Sequence, residues 1–205
     1  MTSVLLSYIV TCIAIELTPG PNMAYLAMLS AERGRMAGLF AVTGVALGLA
    51  LLGALASFGV GEAIAGQPWL YETLRWAGIA YLVYLAYDAW ADAQRPVEIL
   101  DPSQLGWRSF RRGLINNLLN PKAALFYITV APSFVVAGQA ALPQTVLLGA
   151  IFVAVATAIH AGVVLLAGSL RALLTQAASR RFLGATFAVL LLVVAVWVGF
   201  STARQ

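Results

Sequence analysis

Glu16 and the residues after it, Leu17-Thr18-Pro19-Gly20-Pro21-Asn22, carry the densest chemistry in the sequence. They lie inside an otherwise apolar run from about Val4 to Leu29. A carboxylate at membrane depth costs a few kcal/mol even on the mildest insertion scales and usually marks a working site. Each proline removes a backbone donor and the glycine opens unusual dihedrals, so no continuous helix passes through. Unpaired backbone at that depth survives only where it faces protein or a water-filled cavity. The stretch therefore predicts a broken helix lining a polar space.

A second cluster, Asn116, Asn117 and Asn120-Pro121-Lys122, interrupts another apolar run. Half-helices starting near Pro21 and Pro121 present free N–H groups and a positive dipole end, which suit a carboxylate. Proline at the first helical position costs nothing there. The half-helix ending near Leu17 presents carbonyls, and Glu16 adds a full negative charge; together they suit an ammonium group or a proton. A zwitterionic amino acid needs both signs within a few ångströms. Lys122 is a candidate for the carboxylate or a partner for Glu16. Each of these residues also has a plainer reading. Glu16 and Lys122 can form a structural ion pair. Asn22, Asn117 and Asn120 can cap broken ends or tie helices together. Thr18 can return its hydroxyl to the preceding turn. His160, the only histidine, is a candidate proton relay because imidazole titrates near neutral pH, or a plain hydrogen bond between helices.

These residues need a membrane scaffold. The chain has 205 residues, 61% of them hydrophobic and 10% charged, where a soluble domain carries about 25% charged residues. Its mean hydropathy is +0.90. The apolar segments are helix-length, which predicts an all-α integral membrane protein and no barrel. Six spans follow: about Val4–Leu29, broken at Thr18–Asn22; Ala37–Val60; Trp69–Trp90; Gly113–Val136, interrupted at Asn116, Asn117, Asn120-Pro121-Lys122 and Pro132; Gln144–Leu170; and Phe182–Phe200. A five-span arrangement is the alternative. The first run reads as a retained helix, without a signal-peptide pattern. Gly44, Gly48, Ala46 and Ala50 give the second span a small-residue face that suits close helix contact, and a homodimer is one use for such faces. Tyr81, Tyr84 and Tyr87 read as interfacial or packing aromatics in preference to a substrate-facing stripe. A polar loop is expected from Ala91 to Arg112.

The arginines Arg33, Arg35, Arg95, Arg108, Arg111, Arg112, Arg171, Arg180 and Arg181 all fall in the first, third and fifth connections. Positive residues stay cytoplasmic, so both termini are expected to be periplasmic. The two breaks stand a hundred residues apart, each in the first span of three. Three spans per unit inverts the second unit, and matching interruptions in inverted repeats point to a transporter binding site. One transmembrane domain is expected over 1–205, with repeats at about 1–90 and 113–205.

Thr18-Pro19-Gly20-Pro21-Asn22, Gly34-Arg35-x-Ala37-Gly38, Gly44-x-Ala46-x-Gly48, Gly78-x-Ala80-Tyr81-Leu82 and Phe110-x-x-Gly113-x-x-Asn116-x-Leu118-x-Asn120-Pro121-Lys122, in this order, resemble the LysE/RhtB family of amino-acid exporters. The resemblance covers nearly the whole chain and is weakest in the last two spans. It implies a bacterial inner-membrane protein that exports amino acids or their derivatives, driven by an ion gradient. A passive channel or facilitator for small solutes is the alternative. Cys12 is the only cysteine, and the sequence holds no zinc-helix pattern, no nucleophile elbow and no nucleotide loop, so neither enzyme chemistry nor a cofactor is expected. The expected partners are a small-molecule substrate and the lipid bilayer. The arginines sit as topology signals, and nucleic acid is not an expected partner.

Overall fold

A computed structural model describes residues 2–18, 20–59, 67–94, 102–136, 138–169 and, towards the C-terminus, 181–182, 185–186, 188–189, 191–193, 195–196 and 200. Among the described residues the regular structure is helical throughout, without strands. The elements are α1 (Thr2–Leu17), α2 (Pro21–Arg33), α3 (Arg35–Ser57), α4 (Pro68–Gln94), α5 (Pro102–Leu118), α6 (Pro121–Leu125) and α7 (Ala141–Ser169). A π turn at Phe126–Val130 and a 3-10 turn at Ala131–Phe134 extend α6. Among the described residues two helices, Arg35–Ser57 and Ala141–Ser169, are long and apolar enough to cross a membrane, and the bent pair α1–α2 makes a third span if taken as one.

The first break has local causes. The Thr18 N–H turns to Ile15 O at 3.1 Å, tightening the last turn of α1. Gly20 is extended, and Pro21 opens α2 at the first helical position, where its missing N–H is harmless. The two pieces meet at 58°. Gly34, at φ 92, closes α2, and α3 starts on the next residue. At the second break the Asn120 N–H turns to Asn117 O at 3.0 Å, and Pro121 opens α6. Pro132 withholds the N–H that would continue the ladder, which accounts for the shift to π and 3-10 geometry after Leu125.

Close packing holds the breaks in register. A Cβ on Gly44 would run into Phe110 O, and one on Gly113 into Ala41 O. A Cβ on Gly48 would lie 2.9 Å from Asn117 Nδ2. The order of these contacts makes α3 and α5 parallel neighbours with touching backbones. Tyr8 donates to Leu148 O and Glu16 faces His160, so α1 and α7 are also parallel. Gly168 packs on Arg35, and Gly38 on Val164, so α7 runs against α3. The core gathers Tyr8, Cys12, Leu26, Val45, Leu49, Phe126, Phe152 and Val164, all fully or nearly fully buried. Phe126 and Phe152 stack with centroids 3.7 Å apart. Leu6, Val10, Ile13 and Leu17 recur every three or four residues on the exposed side of α1, the pattern of a lipid-facing stripe. A smaller cluster joins Ala86 of α4 to Ala188, Leu191 and Ala195 near the C-terminus.

Two expectations need correction. The polar stretch 91–112 is largely helical: α4 continues to Gln94 and α5 starts at Pro102, with 95–101 outside the described residues. Pro102 is a favourable helix opener, and polarity there reflects the exposed Arg108 and Arg111. Asn116 and Asn117 do not interrupt a helix but sit in the last turn of α5. The Gly44–Gly48 face makes the close helix contact expected of it, with α5 of the same chain. Tyr84 and Tyr87 face outward, and Tyr81 packs beside the small cluster.

Candidate functional site

Glu16 lies one residue before the end of α1 and is 6% exposed. His160 reaches it from α7, with Nε2 3.2 Å from Glu16 Oε2. Lys122, the second residue of α6, brings Nζ to 3.9 Å from Glu16 Oε1. The first distance is that of a hydrogen bond; the second is not, so the ammonium acts on the carboxylate through space. Lys122 Nζ instead donates to Thr18 O at 2.9 Å. That oxygen belongs to the carbonyl end of α1, where the helix dipole is negative. The two breaks, a hundred positions apart in sequence, therefore touch through one side chain.

Behind this contact stands a layer of asparagines. Asn116 Nδ2 donates to Asn22 Oδ1 at 2.8 Å, and Asn22 Nδ2 donates to Asn117 Oδ1 at 2.7 Å. All three are 6% exposed or less. Asn22 opens α2 and its partners close α5, so the first turn of one broken segment is clamped to the last turn of the other. Asn120 caps α6, its Oδ1 accepting from Lys122 N at 3.1 Å. Among the described residues no side chain caps α2, so the N–H groups beyond Gly20 keep their donor capacity. The Thr18 hydroxyl donates back to Ala14 O at 3.1 Å, and that side chain is exposed.

Glu16, Gly20, Asn22, Asn120, Lys122 and His160 line one pocket, with Met23, Leu49 and Ala123 as its apolar wall. Its enclosed part has room for about one water molecule, so the broken segments stand close together. Asn116 and Asn117 reach it only through Asn22, and Pro121 supports it from the start of α6. Pro19 lies outside the described residues. The apolar wall carries no signal in a linear sequence. The direct His160–Glu16 contact went unforeseen because their separation along the chain gives no periodicity to read. Thr157, one turn before His160, has a buried hydroxyl without a hydrogen-bond partner among the described residues, as does His160 Nδ1. The pocket thus presents a carboxylate, an ammonium, an imidazole and helix-end dipoles of both signs within one small volume.

A family model described as LysE type translocator matches residues 13–202. An uncharacterised membrane protein of Pseudomonas aeruginosa is 32% identical over 207 residues, covering 96% of this chain and 94% of the relative. A homoserine/homoserine lactone efflux protein of Salmonella typhimurium is 27% identical over 189 residues, covering 92% of each. An uncharacterised membrane protein of Vibrio cholerae is 27% identical over 166 residues, covering 80% of this chain and 81% of the relative. No solved structure matches the chain significantly.

Proposed function

The chain belongs to the LysE type translocator family, and on that premise we propose that it exports amino acids or amino-acid derivatives across the bacterial inner membrane, coupled to the proton gradient. It is a translocator and not an enzyme. The substrate binds between the two broken segments at mid-membrane. Its ammonium group meets Glu16 and the carbonyl end of α1, and its carboxylate meets Lys122 and the uncapped start of α2. The observation that carries this reading is the shared pocket of Glu16, Lys122 and His160 at two proline-opened helix starts. Glu16 and His160, in direct contact, hold the proton that substrate exchanges for.

The arrangement is six spans in two inverted halves. Support comes from direction: α1–α2 runs towards the Arg35 end of α3, whereas α5–α6 starts at that end and runs away from it. Two interrupted segments crossing in opposite senses is what an inverted repeat requires.

The test is uptake of labelled homoserine and threonine into inverted vesicles carrying an imposed proton gradient. Accumulation that collapses with an uncoupler supports export; equilibration that ignores the uncoupler means a passive facilitator. Glu16→Gln should insert and fold yet lose gradient-driven accumulation. Glu16→Gln with Lys122→Met should stay inactive however stable it is. Full activity in that double variant would leave the pair as a structural link.

A further inference from the structure

Of the 12 lysines and arginines in the chain only one, Lys122, is a lysine. Its ammonium rests on the end of α1, 2.9 Å from Thr18 O and 3.9 Å from a Glu16 oxygen, while His160 holds the other oxygen. A helix carbonyl end plus a carboxylate makes a subsite for a compact cation with several donors, which an ammonium is and a planar guanidinium is not. Resting on the export reading above, we propose that Lys122 is a tethered stand-in for the substrate's ammonium group. It occupies the Glu16–Thr18 subsite between transport events, and a compound bearing a free primary ammonium must displace it.

Three features support displacement. The Lys122 side chain is 26% exposed and that of Glu16 8%, so the cation can withdraw while the carboxylate stays. The arm crosses from the second break to the first beside Gly20, where an added Cβ would stand 3.3 Å from Lys122 Cδ. Glycine there leaves the arm room to swing. Finally, the ammonium is bonded to a neutral carbonyl and stops short of hydrogen-bond range to Glu16. A free ammonium that reaches the carboxylate itself forms the stronger, charge-assisted bond. The ligand class is therefore set by the primary ammonium, whether the carboxyl is ionised or esterified, and N-acylated compounds are refused. Once displaced, Lys122 is free to meet a carboxylate when the ligand has one.

A single lysine gives a single probe. Full-length protein in detergent, labelled with nitrogen-15 at the lysine ζ position, is titrated with threonine methyl ester and with N-acetylthreonine. The ester should move the Lys122 resonance and the N-acetyl compound should leave it in place. A shift with N-acetylthreonine alone would make the resting ammonium a carboxylate site and overturn the proposal. So would no shift with the ester at concentrations that saturate its transport. In a second measurement Lys122→Met empties the subsite, and the ester should bind about tenfold more tightly, because an occupant lowers apparent affinity by the fraction of time it blocks the site. Unchanged or weaker ester binding overturns the proposal, and the titration decides alone if the variant fails to insert. Failure of the export reading looks different: the ester moves the resonance but is not accumulated in inverted vesicles.

Discussion

Asn22 uses its amide in both directions, accepting from Asn116 and donating to Asn117. Helix-to-helix hydrogen bonds in a membrane average about 0.6 kcal/mol and reach about 1.7 kcal/mol. Losing both partners at once should therefore cost roughly 1–3 kcal/mol, the range expected when buried polar groups lose a partner. Asn22→Ala should melt earlier in detergent, and Asn22→Asp earlier still, since an ionised aspartate cannot donate to Asn117 Oδ1. Unchanged thermal unfolding in both variants would remove the clamp as a stabilising contact. Alanine at Thr18 should change little by the same measure, because its exposed hydroxyl returns to Ala14 within the helix.

At the scale of elements, the two breaks are forced by residues that cannot continue a helix, while their mutual approach depends on glycines in α3 and α5. Replacing Pro19, Gly20 and Pro21 together by alanine should let α1 run on into α2, carrying Thr18 O away from Lys122 and dissolving the pocket. The protein should still insert, since the apolar content of the segment is kept, but vesicle uptake should be lost. Normal uptake by the triple variant would disprove a broken-helix site. Pro19-Gly20-Pro21 and Asn120-Pro121 were legible in the sequence because proline and glycine act through local backbone chemistry that needs no tertiary context. The stretch 91–112 was misjudged because polarity reports exposure, and an exposed helix is as polar as a loop. The asparagines could be recognised as polar groups needing partners, but which asparagine meets which is decided by the crossing of α2 and α5. His160 was visible as a residue and invisible as a neighbour of Glu16, since only the parallel packing of α1 and α7 brings them together.

At the scale of the whole molecule, the helix directions give Arg33, Arg35, Arg108, Arg111 and Arg112 a common side. Arg33 and Arg35 stand at the α2–α3 junction, and Arg108, Arg111 and Arg112 in the middle of α5, beside the first third of α3. Gly168, at the far end of α7, packs on Arg35, so the chain leaves α7 on that side as well. The start of α1 lies beside the start of α7, at the opposite end. Retention of arginine in the cytoplasm would put the N-terminus in the periplasm, which is the expected outcome. Labelling with an impermeant thiol reagent checks this in a Cys12→Ala background, Cys12 being the only native thiol. Thr2→Cys should react in intact cells, and Ser103→Cys, beside the start of α5, only after permeabilisation. The reverse pattern would turn the molecule over and expose the arginine side to the periplasm.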